Sequence, residues 1–193
     1  MLKLFKLTRF SYRATLCGLV LGPAMMLYAQ AQTSQSSDFN LQDVRGGTFQ
    51  MKDHHSQPVL IAFLGMVPDT TSTPSLRETV FLSSMNHQYA SRGLCVVAID
   101  ASNLLGHRNV SKQDLANASY DWHLNFPLLE DPGGTVAHQF GVRDVPTIFL
   151  IDGAGNIVQS WHGFTRPAVL AQTIESLIGG PLSRLSKIEP TNK

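Results

Sequence analysis

Gly141-Val142-Arg143-Asp144-Val145-Pro146-Thr147-Ile148-Phe149-Leu150-Ile151-Asp152 is the stretch whose reading decides the fold of this chain. Thr147 to Ile151 reads as a strand introduced by a proline, and Gly153-Ala154-Gly155-Asn156 reads as the turn that follows it. Ile157 to Trp161 then makes a second strand, so the pair is predicted as an antiparallel hairpin.

Upstream, Phe39-Asn40-Leu41-Gln42-Asp43 and Thr48-Phe49-Gln50-Met51 alternate around a Gly46-Gly47 turn, the pattern of a small hairpin. Pro58 precedes Val59 to Leu64, a continuous apolar run that suits a strand covered on both faces. Gly65 to Thr73 reads as a loop, and Thr73-Pro74 as a helix N-cap with proline at the first helical position. Leu76, Val80, Phe81, Met85 and Tyr89 fall near one face of that helix, and Gly93 suits its end. Leu94 to Asp100 is a second buried strand, parallel to the first by the logic of a strand-helix-strand unit. Ser111 with Asp114 predicts a capping box opening a helix toward Ala118. A short extended piece, Phe126 to Leu129, an Asp131-Pro132-Gly133-Gly134 turn and a brief helix from Thr135 to Phe140 lead back to the opening stretch. Ala168 to Ile178 closes the pattern with an amphipathic helix.

The first 31 residues have a different character. Four cations and no acid precede an apolar run from Ala14 to Ala29, and Ala29-Gln30-Ala31 has the small-x-small form of a cleavage site. The run is short for a membrane span, which needs about 20 residues. A secretory signal peptide over residues 1–31 is the expectation, with an uncleaved anchor as the alternative. Cys17 follows Leu16, where a lipoprotein signal would have a small residue, so no lipid anchor is expected. The remaining organisation is a flexible lead-in over residues 32–38, a single domain over 39–179 and a loose tail over 180–193. Beyond residue 31 the chain carries 11 basic and 14 acidic residues, a net −3 with no basic patch of the kind that grips nucleic acid. The expected locations are a periplasm or the cell exterior, with no stable membrane insertion after cleavage. One cysteine, Cys95, lies beyond residue 31, so no internal disulfide can staple the domain.

The order hairpin, β, α, β, α, β, α, β-β, α resembles the redoxin branch of the thioredoxin-like superfamily: thiol-specific antioxidant proteins, peroxiredoxins and periplasmic thiol–disulfide reductases. The resemblance covers about Phe39 to Ile178. Its specific parts are Phe39-x-Leu41-x-Asp43 with Gly46-Gly47, the Phe126 to Asp131 segment, and Gly141-Val142 leading to Val145-Pro146-Thr147. It implies an α/β fold: a central mixed β-sheet with helices on both faces, plus the N-terminal hairpin. It also implies a cis Val145-Pro146 bond facing the loop Pro68-Asp69-Thr70-Thr71. In this family the residue before that proline lends its backbone to an extended substrate, which makes Pro68, Asp69, Thr70, Thr71, Val145 and Pro146 the candidate binding residues.

The chemistry of the family does not carry over so readily. A redox thioredoxin attacks through a thiolate whose pKa is lowered at a helix N-terminus. Counted from Phe63, the two cysteines would fall near Pro68 and Thr71, and no cysteine lies between Phe63 and Pro74. Thr70 and Thr73 match one side of the Thr-x-x-Cys of peroxiredoxins, but no thiol follows. Cys95 sits in an apolar strand, where burial raises a thiol's pKa. His54-His55 reads as a solvated pair in a turn, and His162 lacks the cysteines with which copper-delivering relatives use a histidine. Asp69, Asp100 and Asp131 could meet near the loop end of the sheet, although caps and turns explain each of them. Trp122 and Trp161 read as core. No cofactor and no metal is expected, and no catalytic residue is assigned.

Three hypotheses follow. The first is an exported redoxin-like protein without a dithiol, which binds a protein or extended peptide in the groove beside Pro146. The second is a thiol peroxidase or reductase using Cys95 alone or with a partner's thiol. The third is a purely structural protein of an assembly.

Overall fold

Every side chain of β3 (Val59–Leu64) is buried, which is why the strand reads as an unbroken apolar run. A computed structural model describes residues 38–66, 74–106 and 110–179, with Pro74 by its backbone alone. β3 pairs in parallel with β4 (Cys95–Asp100) and antiparallel with β6 (Thr147–Ile151). β5 (Leu128–Leu129) extends the sheet beside β4, and β7 (Ile157–His162) beside β6, giving the order β5-β4-β3-β6-β7. A register shift between Leu150 and Ile151 marks the β6–β7 hairpin. The N-terminal hairpin, β1 (Asn40–Gln42) with β2 (Thr48–Gln50), forms a sheet of its own. It is held to the β5 edge by an Asp43–Leu129 bridge and by Val44 N–H donating to the Leu128 carbonyl at 2.9 Å.

Side chains alternate across a strand, so the central sheet divides the core in two. On one face Leu60, Ala62, Leu64, Val96, Ala98, Ile148 and Leu150 pack with residues of α1 (Pro74–Tyr89), α2 (Lys112–Asp121) and α4 (Pro167–Gly179). On the other face Val59, Ile61, Phe63, Val97, Ile99, Phe149 and Ile151 pack with the hairpin's Phe39 and Phe49 and with Val136 and Ala137 of α3 (Thr135–Gln139). The fold is the thioredoxin-like α/β arrangement, a mixed five-stranded sheet with helices on both faces and a separate strand pair at the N-terminus.

Two local signals hold in detail. Ser111 Oγ accepts from Asp114 N–H while Asp114 accepts from Ser111 N–H, the reciprocal capping box, although α2 runs on to Asp121. Gly93, in the left-handed region at φ 94°, follows the short 3-10 turn Ala90–Arg92 that ends α1. The expected buried face of α1 is corrected. Val80 is 63% exposed and Phe81 half-buried, whereas Ser75, Glu78, Thr79, Leu82, Met85 and Tyr89 point inward. The first two turns of the helix bury polar groups, so apolar periodicity misplaces the face there.

Candidate binding site at the ends of the central strands

β3 and β4 run parallel and deliver Leu64 and Asp100 to the same edge of the sheet. β6, antiparallel to β3, starts there with Thr147 opposite Phe63. Open α/β sheets hold ligands at such carboxyl ends, where the loops diverge.

The backbone leaving β3 is tied down at once. Gly65 N–H donates to Ser75 Oγ at 3.0 Å, in the first turn of α1, and Met66 N–H donates to Ser102 Oγ at 2.8 Å. Ser102 in turn donates through Oγ to the Asp100 carboxylate. Burial pushes the Asp100 carboxyl up from its ordinary range; bonds from Ser102 and Met66 oppose the shift and the charge of Asp131 adds to it. Gly65 is a close-approach glycine: a Cβ there would lie 2.4 Å from Leu105 Cδ1 and 3.4 Å from Val145 Cγ2. Leu105 and Val145 therefore flank the strand end.

The Val145-Pro146 peptide bond is cis. Pro146 is buried, and its carbonyl accepts from Gly163 N–H at 2.8 Å. Thr147 Oγ1 donates to the Asp144 carbonyl at 2.6 Å and lies 3.4 Å from His162 Nδ1. Val145 precedes the ladder of β6, is only partly buried, and its own N–H and C=O have no hydrogen-bond partner among the described residues. Partly exposed, unpaired backbone at the mouth of a strand can pair with an extended segment.

Beside it stands the first part of α1. Glu78 is 1% exposed and accepts from Thr165 N–H at 3.4 Å. Burial pushes its carboxyl up to about 7, against the lowering effects of the Thr165 bond and the Arg77 charge. The Arg77 guanidinium lies 4.4 Å over the Phe164 ring, and Phe81 meets the same ring at 5.4 Å between centroids.

A cavity of about 260 Å³ opens on the β4–β5 side, lined by Asp100, Asn103, Leu115, Glu130 and Asp131 among others. Asp100 and Asp131 do approach here, while Asp69 lies outside the described residues. Asp131 is occupied as a cap: its two carboxylate oxygens accept from Val136 and Ala137 N–H at 3.1 and 2.9 Å. Among the described residues no group of three His, Cys, Asp or Glu side chains is placed to hold a metal ion.

The profile of the AhpC/TSA family matches residues 33–160, about two thirds of the chain. The chain belongs to the AhpC/TSA family. A thiol-disulfide oxidoreductase ResA of Bacillus thuringiensis is 29% identical over 130 residues, 67% of this chain and 68% of that protein. Among solved structures, the exposed lipoprotein thioredoxin Etrx1 of Streptococcus pneumoniae is 25% identical, with a TM-score of 0.63, covering 73% of this chain and all of that one. StoA of Bacillus subtilis, 18% identical with a TM-score of 0.60, covers 72% of this chain and 98% of its own and speaks for the fold alone.

A redox-active member of the AhpC/TSA family with a thioredoxin-like dithiol needs one thiol at the N-terminus of α1 and a second three residues on. Pro68, Asp69, Thr70 and Thr71, the residues reached by counting from β3, lie outside the described residues. Ser75 is 2% exposed and fixed as the acceptor for Gly65 N–H.

Cys95 stands at the opposite end of the sheet. It opens β4 opposite Val59, five residues before Asp100, which places it about 17 Å from the site edge at the rise of a strand. It is partly buried, and burial pushes its thiol up to about 11. The expected solvated histidine pair is half corrected. His55 is exposed beside Asp38 at 3.2 Å, but His54 is partly buried, stacked on Phe49 at 4.4 Å, and burial lowers its pKa. His162 is exposed at the end of β7, and Trp122 and Trp161 pack partly buried against the core.

Proposed function

We propose that this protein is an exported member of the AhpC/TSA family that performs no dithiol chemistry of its own and binds an extended segment of a partner protein along Val145 and Pro146. Pro68, Asp69, Thr70 and Thr71 form the other side of that groove in this reading. Its relatives are named as thiol-disulfide oxidoreductases, and what separates this chain from that activity is the position of its sulfur. Cys95 sits at the far end of β4 with a thiol held near 11, so at neutral pH only about one in ten thousand such thiols is ionised. The positions counted from Phe63, Pro68 and Thr71, carry no thiol, and the threonine hydroxyls of that segment titrate too high to act as nucleophiles without a base. Export is supported by the basic, apolar and small-x-small layout of the first 31 residues.

Binding is supported by the peptide groups of Val145, unpaired among the described residues, which give main-chain affinity to any extended segment laid beside them. The test is chemical-shift mapping of the purified protein with a reduced, carboxymethylated polypeptide as a generic extended ligand. Perturbations at Val145, Gly163 and Thr165 are expected. A ligand that perturbs only residues remote from Pro146 overturns the reading.

A further inference from the structure

The groove beside Pro146 has a charged and aromatic rim. Three chain segments meet there: the Gly163–Pro146 hydrogen bond joins the turn after β7 to the start of β6, and the Thr165–Glu78 bond joins that turn to α1. Each segment brings one exposed arginine: Arg143 two residues before Val145, Arg77 stacked over Phe164, and Arg166 two residues beyond Phe164. None of the three is in an ion pair among the described residues, where the ion-paired cations are Arg45, His55, Arg92 and Lys112. The same segments carry one exposed carboxylate, Asp144; their other acid, Glu78, is buried. This excess of cations occurs in a chain that is acidic beyond residue 31, with 14 acids to 11 bases. Phe164 is 41% exposed and meets the half-buried Phe81, so an apolar shelf lies beside Arg77, and Val80, 63% exposed, follows Arg77 about one turn along α1.

We propose that this rim selects an acidic extended peptide segment with an aromatic or large aliphatic anchor. The anchor lies on Phe164, Phe81 and Val80, and flanking carboxylates meet Arg77, Arg143 and Arg166. Arg77 suits the role because its stacking on Phe164 holds the guanidinium in place before a ligand arrives, and an arginine fork donates two parallel hydrogen bonds to a carboxylate. In an extended ligand, alternate side chains lie about 7 Å apart on one face, which lets one residue occupy the shelf while its neighbours on that face reach the cations. The inference rests on Val145 and Pro146 being the partner-binding edge, and it adds the chemistry of the partner.

The experiment uses three labelled 12-residue peptides: one with a Glu-Asp-Phe-Asp-Glu centre, one with its acids replaced by lysine, and one with its phenylalanine replaced by alanine. Binding is followed by anisotropy and mapped by chemical shift. The acidic phenylalanine peptide is expected to bind about tenfold or more tightly than either counterpart, with an advantage that shrinks as salt is raised. Arg77→Glu and Arg166→Glu are each expected to remove several-fold of that preference while the melting temperature stays within a few degrees. Phe164→Ala is expected to weaken the acidic phenylalanine peptide alone. Equal binding of all three peptides at Val145 overturns the charge and anchor assignment and leaves the groove in place. Failure of all three to perturb Val145 overturns both. Preference for an oligothymidylate 12-mer or for anionic vesicles over the acidic peptide also overturns the assignment.

Discussion

Cys95 and Glu78 are the two residues whose environments say most about what this protein does. Burial acts on both and favours their neutral forms. For Cys95 that means a poor nucleophile: mild maleimide at pH 7.5 is expected to leave the native protein unlabelled and to label it fully in denaturant, by mass spectrometry. Rapid stoichiometric labelling of the native state contradicts the assignment. For Glu78 the consequence is a dependence of stability on pH. Its carboxyl stands near 7 in the folded state against an ordinary 4.5, so the native protein holds the proton more tightly than the unfolded chain does. The stability from this group is complete below 4.5 and is lost as pH climbs through 7. Between pH 5 and 8 the wild type is expected to lose on the order of 2 kcal/mol relative to Glu78→Gln. Thermal unfolding of both across that range checks it, and parallel pH profiles count against a buried, proton-holding Glu78.

At the scale of elements, the strands were the legible part and the head of α1 was not. β3 and β4 were readable as unbroken apolar runs because both of their faces are covered, and the β6–β7 hairpin because breakers bound it on each side. Periodicity failed on α1 because Ser75, Glu78 and Thr79 turn inward beneath the site, leaving Val80 exposed. The cis Val145-Pro146 bond was legible from the family pattern around it. The positions counted from Phe63 for the family's two thiols, Pro68 and Thr71, lie outside the described residues. Their lack of sulfur is testable. Pro68→Cys with Thr71→Cys supplies thiols at the family spacing and is expected to confer insulin-disulfide reduction, whereas Thr71→Cys alone stays inactive. A double variant that cycles between dithiol and disulfide yet reduces nothing shows that more than sulfur is missing.

Taken as a whole molecule, the sheet separates its two ends. The carboxyl end of β3 and β4 presents the Val145 backbone, unpaired among the described residues, the aromatic shelf and the exposed arginines, while the one cysteine beyond residue 31 lies about five strand residues away at the other end. The chain belongs to the AhpC/TSA family, and in the proposed function it holds a partner rather than exchanging electrons with one. The most direct measurement is turnover itself: reduction of insulin disulfides and of hydrogen peroxide by the purified protein, before and after alkylation of Cys95 under denaturing conditions and refolding. The account predicts rates at the background of the reductant in every case. Turnover above that background which disappears on alkylating Cys95 would contradict it.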